Sequence, residues 1–203
     1  MDRGSVMSFT TPVTDYNNYT SASLTFYDNK IVVEDTGSDY YGAVVMMDWE
    51  HPIMSASAAY VTQGGGNILE IGFGMGISAD YIQSHSISSH TIIENHPQVI
   101  EKLKTWSSGK SNVTIVSQSW QQVTASLGRF DGIFFDDYGG EYNDISSSLS
   151  LLTKSGTKMT FWNNSRTSSN AITEDVTYQE VSVIPTTNSY WSGSIYYIPK
   201  LEF

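Results

Sequence analysis

The chain has 203 residues, 39% of them hydrophobic, and a formal net charge of −11 from ten Lys and Arg against 21 Asp and Glu. That length suits one domain with a substantial core. The acidic balance leaves no basic stripe for a phosphate backbone, which argues against a nucleic-acid partner. With no cysteine there is neither a disulfide framework nor a thiolate zinc site, and His51, His85, His90 and His96 lack paired ligand spacing, so no metal is expected. No apolar run is long enough to span a membrane, and the opening MDRGSVMSFTTPVTDYNNYT has no signal-peptide core. A soluble, cytoplasmic protein without a membrane partner is the expectation; its oligomeric state, monomer or homodimer, is left open.

In chain order, residues 1 to about 20 are rich in Ser, Thr, Asn and Asp and are expected to be weakly ordered. Ser23 to Tyr27 and Ile31 to Glu34 read as short strands about the turn Asp28-Asn29-Lys30. After Tyr40-Tyr41-Gly42 comes the apolar run AVVMMDWEHPIMSASAAYV, broken at Pro52, with a helical second half from Ile53 to Val61. Placed ahead of a glycine loop, this segment reads either as a lid or as ordinary packing.

The stretch Gly64 to Gly76, GGGNILEIGFGMG, is the organising feature. A short strand, Asn67 to Ile71, turns through Gly72, Gly74 and Gly76 into a helical pattern carrying Ile77, Tyr81 and Ile82. Glycine suits a loop that visits positive φ and brings backbone N–H groups close to a ligand. The third glycine comes one residue too early for the dinucleotide fingerprint. With Glu70 ahead of it, the E-x-G-x-G-x-G spacing resembles motif I of Rossmann-like S-adenosylmethionine (SAM) methyltransferases. Thr91-Ile92-Ile93-Glu94 is a second strand ending in an acid, 18 residues after Gly76, where such folds place the carboxylate that holds the ribose hydroxyls. The bland alternative is a glycine-rich turn followed by a capping glutamate.

Pro97 then opens a helix with Val99, Ile100, Leu103 and Trp106 at helical spacing. Val113 to Val116 is a third strand, followed by Ser117-Gln118-Ser119-Trp120; Trp120 is equally readable as core or as the adenine edge. Phe130 to Phe135 is a fourth strand, with Asp136, Asp137 and Tyr138 at its carboxyl end as catalytic groups or loop caps. Tyr142 to Leu152 reads as a short helix, and Lys158 to Trp162 as a fifth strand ending in Asn163-Asn164-Ser165. Tyr178 to Ile184 and Ser194 to Ile198 read as a closing strand pair. The fold expected is an α/β, Rossmann-like methyltransferase fold: a mostly parallel, doubly wound sheet with a C-terminal antiparallel pair and an N-terminal lid. The chain is expected to be one domain, with residues 1–60 as arm and lid and 64–203 as the core.

A narrower resemblance rests on blocks that occur in order: Met46-x-x-Trp49-Glu50-x-Pro52-x-Met54, Leu69-Glu70-Ile71-Gly72-Phe73-Gly74-Met75, Ile92-Ile93-Glu94, Phe130-Asp131-Gly132-Ile133-Phe134-Phe135-Asp136-x-Tyr138, Thr160-Phe161-Trp162-Asn163 and Tyr196-Tyr197-x-Pro199. Together these resemble guanidinoacetate N-methyltransferase and its relatives, including the fungal-type protein arginine N-methyltransferases. The resemblance implies a SAM cofactor, with S-adenosylhomocysteine (SAH) as product. It implies that Met46, Glu50 and Met54 line the cofactor pocket from the lid, and that Gly72, Phe73, Gly74, Met75, Gly76 and Ile77 carry the methionine part. Glu94 would hold the ribose, Ser119 and Trp120 would flank the adenine, and Glu70 and Asn95 belong to the same cofactor set. Glu50 and Asp136 would grip the guanidinium, while Asn164 and Ser165 would hold the substrate carboxylate.

The chemistry asks for two carboxylates on its own account. A guanidinium is protonated at neutral pH and is a poor nucleophile until a carboxylate orients it and accepts a proton. Asp136 is expected to be the proton acceptor and Glu50 the orienting partner. Two departures concern the acceptor: the segment Arg166 to Asp175 is shorter than in the family, and Asp137 replaces the family's Thr. Three readings follow: an N-methyltransferase of a small guanidino compound, a peptide or protein arginine N-methyltransferase, and a SAM-binding protein without transferase activity. The lid aromatic is open among Tyr16, Tyr19, Tyr40 and Tyr41.

Overall fold

A computed structural model describes residues 16–138, 142–163, 175–188 and 190–203. Seven strands form the main sheet: β4 (Asn67–Ile71), β5 (Ser89–Ile93), β6 (Val113–Val116), β7 (Gly132–Phe135), β8 (Lys158–Phe161), β9 (Thr177–Ser182) and β10 (Ile195–Glu202). Their spatial order is β6-β5-β4-β7-β8-β10-β9. The first five in that order run parallel, and β10 pairs antiparallel with both β8 and β9. Helices α3 (Ile77–Gln83), α4 (Pro97–Ser107) and α5 (Trp120–Leu127) connect the parallel strands. This is the Rossmann-like α/β sheet with a C-terminal antiparallel pair.

The parallel strands read as nearly unbroken apolar runs because both faces are covered. Ile68, Leu69, Ile71, Ile92, Ile133, Phe134 and Phe135 are all at most 1% exposed. Gly132 serves this packing directly. A Cβ there would stand 2.0 Å from the carbonyl oxygen of Val61, so its absence lets helix α2 (His51–Val61) lie against β7. The Tyr60 hydroxyl donates to Leu201 O at 2.8 Å and ties the end of α2 to β10.

Three short antiparallel strands, β1 (Leu24–Phe26), β2 (Lys30–Val33) and β3 (Val44–Met47), make a second sheet. It is fastened to the main body at the start of α4. Gln98 accepts from Leu24 N at 2.7 Å and donates to Leu24 O, and His96 Nε2 lies 3.0 Å from Ala22 O. Leu24, Ile31 and Val33 share a buried cluster with Phe73, Ile92, Val99 and Leu103.

Four local expectations are corrected. Residues 1–15 lie outside the described residues, but Tyr16–Ser21 is a helix, α1, and Tyr19 is 5% exposed, because an aromatic cluster captures an otherwise polar segment. Pro52 does not interrupt an element. It sits in the first turn of α2, where its missing N–H costs no hydrogen bond. Tyr142 to Leu152 is two helices, α6 (Tyr142–Ser146) and α7 (Leu149–Leu152), parted at the serines where Ser148 N closes a turn onto Ile145 O. The last strand runs on through Pro199 to Glu202; the recorded pairing with β8 involves Leu201 and Glu202, beyond the proline.

Among the described residues, no helix is long and apolar enough to cross a membrane. Among the same residues, no group of three or more His, Asp and Glu side chains is placed to hold a metal ion.

Candidate active site

Strand register builds the site. Ile71 lies opposite both Ile93 and Phe135, Ile93 opposite Val116, and Phe135 opposite Phe161. Five strands therefore end level, and Gly72, Glu94, Ser117, Asp136 and Trp162 leave the sheet along one edge. Strand order reverses there between β4 and β7, which is where open α/β sheets place ligands.

The glycine loop is bound by its own protein neighbours. Gly72, Gly74 and Gly76 have φ of 89°, 52° and 81°. A Cβ on Gly72 would meet Asp136 O at 2.0 Å, one on Gly74 would meet Met46 Sδ at 2.7 Å, and one on Gly76 would meet the Phe73 ring at 2.7 Å. Met46 lies on the loop, its sulfur accepting from Met75 N at 3.3 Å. Met54 and Ile77 are buried in the cluster that holds Ala58, Ile82 and Phe134. Glu70 is fully buried; it accepts from Ser78 Oγ, and His90 Nε2 approaches its other oxygen to 2.8 Å without hydrogen-bond alignment.

Beside the loop a crevice opens, lined by Gly72, Glu94, Asn95, Gln118, Ser119 and Asp137, with Trp120 on its wall. The Glu94 carboxylate is aimed by backbone amides: Oε1 accepts from Asn95 at 2.9 Å and His96 at 2.8 Å, and Oε2 from Phe73 at 3.0 Å. Burial still raises its pKa in spite of these donors. Trp120 combines both of its readings. It packs edge-on against Phe135 in the core, borders the crevice, and donates Nε1 to Asp137 Oδ2 at 2.8 Å. Near Glu94 and Asp137, Tyr19 stacks on Tyr138 at 4.4 Å with Tyr40 edge-on to both. Burial raises the Tyr19 pKa, with Glu94, Tyr138 and Asp137 adding to it. Of the other lid candidates, Tyr41 is 59% exposed and nothing is described of the Tyr16 side chain.

The second feature is a pair of acids. Glu50 closes the turn Asp48–Glu50 between β3 and α2 and is 3% exposed. Its Oε1 accepts from Met47 N at 2.7 Å and from the Tyr190 hydroxyl at 2.7 Å. Asp136 ends β7, retains some accessible surface, and is otherwise enclosed by protein. Burial and the Asp136 charge push Glu50 up to about 8, while burial, Glu70 and Asp137 push Asp136 up to about 7. Asp137 is likewise raised to about 7, by burial first and then Glu94 and Asp144, against the lowering effect of the Trp120 bond. Trp49, Trp162 and Tyr190 gather beside this pair, with ring centroids 5.7 and 6.2 Å apart about Tyr190. Asn163 donates its amide to the Tyr196 hydroxyl and its side chain to Tyr197 O. Asn164 and Ser165 lie outside the described residues.

Tyr190, Gln118 and Asn163 were not singled out as site residues from the sequence. Gln118 and Asn163 lie inside the strand-end segments Ser117 to Trp120 and Asn163 to Ser165 but carry no role in the sequence reading. Tyr190 has no local signal; its partner lies 140 residues away.

Acids held protonated by the fold make ligand-free stability depend on pH. Below about pH 4 both folded and unfolded chains keep these protons. As pH rises, the unfolded chain releases them first, and the stabilising contribution is lost through about 7 to 8. The thermal midpoint of the ligand-free protein is expected to fall by several degrees between pH 5 and 8.5. A midpoint that is flat or rising across that window would mean a compensating cation sits beside the acids.

The sequence profile of the guanidinoacetate N-methyltransferase family matches residues 16–159, more than two thirds of the chain. The chain belongs to the guanidinoacetate N-methyltransferase family. Its family and fold are those of methyltransferase domains that use S-adenosylmethionine as cofactor. The chain is 34% identical over 165 residues to protein arginine N-methyltransferase 2 of Aspergillus oryzae, covering 76% of this chain and 38% of that protein. It is 35% identical over 141 residues to the protein of the same name in Kluyveromyces lactis, covering 64% of this chain and 33% of the relative. It thus spans only about a third of the length of the curated relatives it matches. In fold it is similar to the N-methyltransferase NodS of Bradyrhizobium japonicum, with a TM-score of 0.58 at 15% identity over 76% of this chain and 96% of NodS.

Proposed function

We propose that this member of the guanidinoacetate N-methyltransferase family transfers a methyl group from SAM to a guanidino nitrogen of a small acceptor resembling guanidinoacetate. The observation that carries this reading is the pair Glu50 and Asp136. Two buried acids, each with a raised pKa and Asp136 raising that of Glu50, form a site that a cation would relieve. A guanidinium supplies that charge, and its planar N–H fork matches carboxylate geometry.

The loop and crevice are where the cofactor would be held. Gly72, Phe73, Gly74, Met75, Gly76 and Ile77 would cradle its methionine part, with Met46 over the loop, Glu70 bracing it from below and Met54 packing behind. Glu94, Asn95, Ser119 and Trp120 would take the adenosyl part. SAM, when bound, supplies an electrophilic methyl on a positive sulfonium. Asp136 and Glu50 orient the acceptor so that one nitrogen lies in line with that methyl. Asp136 would accept the proton that the guanidino nitrogen gives up on methylation. Enclosure by protein raises the affinity of Asp136 for that proton. Asn164 and Ser165 are assigned to the acceptor carboxylate on the family resemblance.

One observation favours a second acceptor: both relatives above bear the name protein arginine N-methyltransferase 2, so a peptide or protein arginine is the alternative. A methyl-transfer assay with guanidinoacetate, free arginine and an arginine peptide separates them. Turnover of guanidinoacetate at a kcat/KM at least tenfold above the others is expected. Turnover confined to the peptide would move the assignment to a protein acceptor. SAM binding without turnover of any guanidine would leave a binding protein.

A further inference from the structure

Oε1 of Glu50 already carries two donors, Met47 N and the Tyr190 hydroxyl, each at 2.7 Å. A carboxylate oxygen has about two lone-pair sites, so Oε1 is filled and Oε2 is the oxygen left for a ligand. The Met47 amide belongs to the same turn as Glu50 and folds the side chain back on itself. Tyr190 comes from the loop joining β9 to β10, and its bond decides which oxygen is occupied.

Tyr190 is itself held in place. Its backbone amide donates to Asn188 Oδ1 at 3.0 Å, the amide of Trp191 donates to the same oxygen at 2.7 Å, and its ring lies near Trp49 and Trp162. Trp191 is buried against Tyr196, which anchors the loop to β10.

We infer that Tyr190 is a positioning residue of the acceptor site, locking Glu50 so that Oε2 alone is turned to the acceptor. The inference rests on the guanidino reading for what the acceptor is. Its consequence is a division of labour. Glu50 takes a single N–H of the guanidinium, and Asp136 is left to orient the reacting nitrogen. The groups facing Glu50 are Asp136 from the end of β7, Tyr196 from β10, Tyr190 from the loop and the Met47 amide, so the removal of the phenol hydrogen is a change in one of four neighbours.

Tyr190→Phe keeps the ring and removes the O–H. With one donor to the ionised carboxylate gone, the Glu50 titration midpoint, followed by 13C NMR of labelled glutamate and assigned with Glu50→Gln, is expected to move upward. Affinity for SAH is expected to stay the same, since Tyr190 does not line the crevice. At neutral pH kcat/KM for the acceptor is expected to fall roughly tenfold and to recover partly at higher pH. An unmoved Glu50 midpoint overturns the lock whatever acceptor is used. If wild type turns over no guanidine but the midpoint moves in Tyr190→Phe, the lock stands and the guanidino reading falls. Should the Phe variant fail to fold, Asn188→Ala, which frees the Tyr190 loop, decides by the same midpoint: an upward shift supports the lock and no shift overturns it.

Discussion

Asp136→Asn is expected to lower kcat about 10³-fold with guanidinoacetate while changing SAH affinity by less than a few-fold. Asparagine has nearly the shape of aspartate but cannot accept the proton, and its amide N–H would face the N–H groups of the guanidinium. Asp136 is raised to about 7 by burial, Glu70 and Asp137, so at neutral pH it lies close to the point where it can take a proton and return it. Glu50 differs in that one of its oxygens already accepts from Met47 N and the Tyr190 hydroxyl. Initial rates over a range of acceptor concentrations, with calorimetric titration of SAH, make the comparison. A variant that keeps kcat within tenfold of wild type would remove Asp136 as the base.

Gly72→Ala is expected to cost about 3 kcal/mol or more and to abolish SAM binding. For a chain of this length that corresponds to a fall of roughly 6 to 12 °C in Tm. Two costs add. At φ of 89° any side chain is strained, and the new Cβ would lie 2.0 Å from the carbonyl oxygen of Asp136. That neighbour is backbone at the end of β7, so relief requires Asp136 itself to move, and damage in the glycine loop reaches this acid. Gly109→Ala is the control: its φ is 83°, but nothing lies within 4 Å of the added Cβ. It should show the conformational cost alone, a few degrees at most. Equal losses in both variants would mean that the approach of Gly72 to Asp136 carries no weight.

Much of this was legible one strand at a time. The loop Gly72 to Gly76, the acid after β5 and the acids after β7 were read from short strands ending in a characteristic residue, and strands of that kind are local. The family profile and the sheet bear out the methyltransferase fold. Trp120 could not be assigned from its neighbours, because core packing and crevice lining are decided by which face of α5 meets β7. The division of Tyr142 to Leu152 into two helices, and the capture of Tyr19 by Tyr138 and His96, also depended on what lay across from them. Composition alone marked residues 1 to about 20 as weakly ordered, and the short helix Tyr16–Ser21 within them shows no periodicity of its own until a partner surface orders it.

The sequence by itself determined the order of the parallel strands' motifs, the turn chemistry of the cofactor loop and the presence of an acid at each of two strand ends, because these follow from backbone conformation and alternation within a few residues. Only the tertiary structure decided that Glu50 and Asp136 share one buried site, that Gly72 is glycine on account of Asp136, and that Tyr190 closes on Glu50. Those relations arise where the level ends of β4, β5 and β7 meet segments from either end of the chain. Burial there changes the electrostatics of every acid, which no single stretch of sequence encodes.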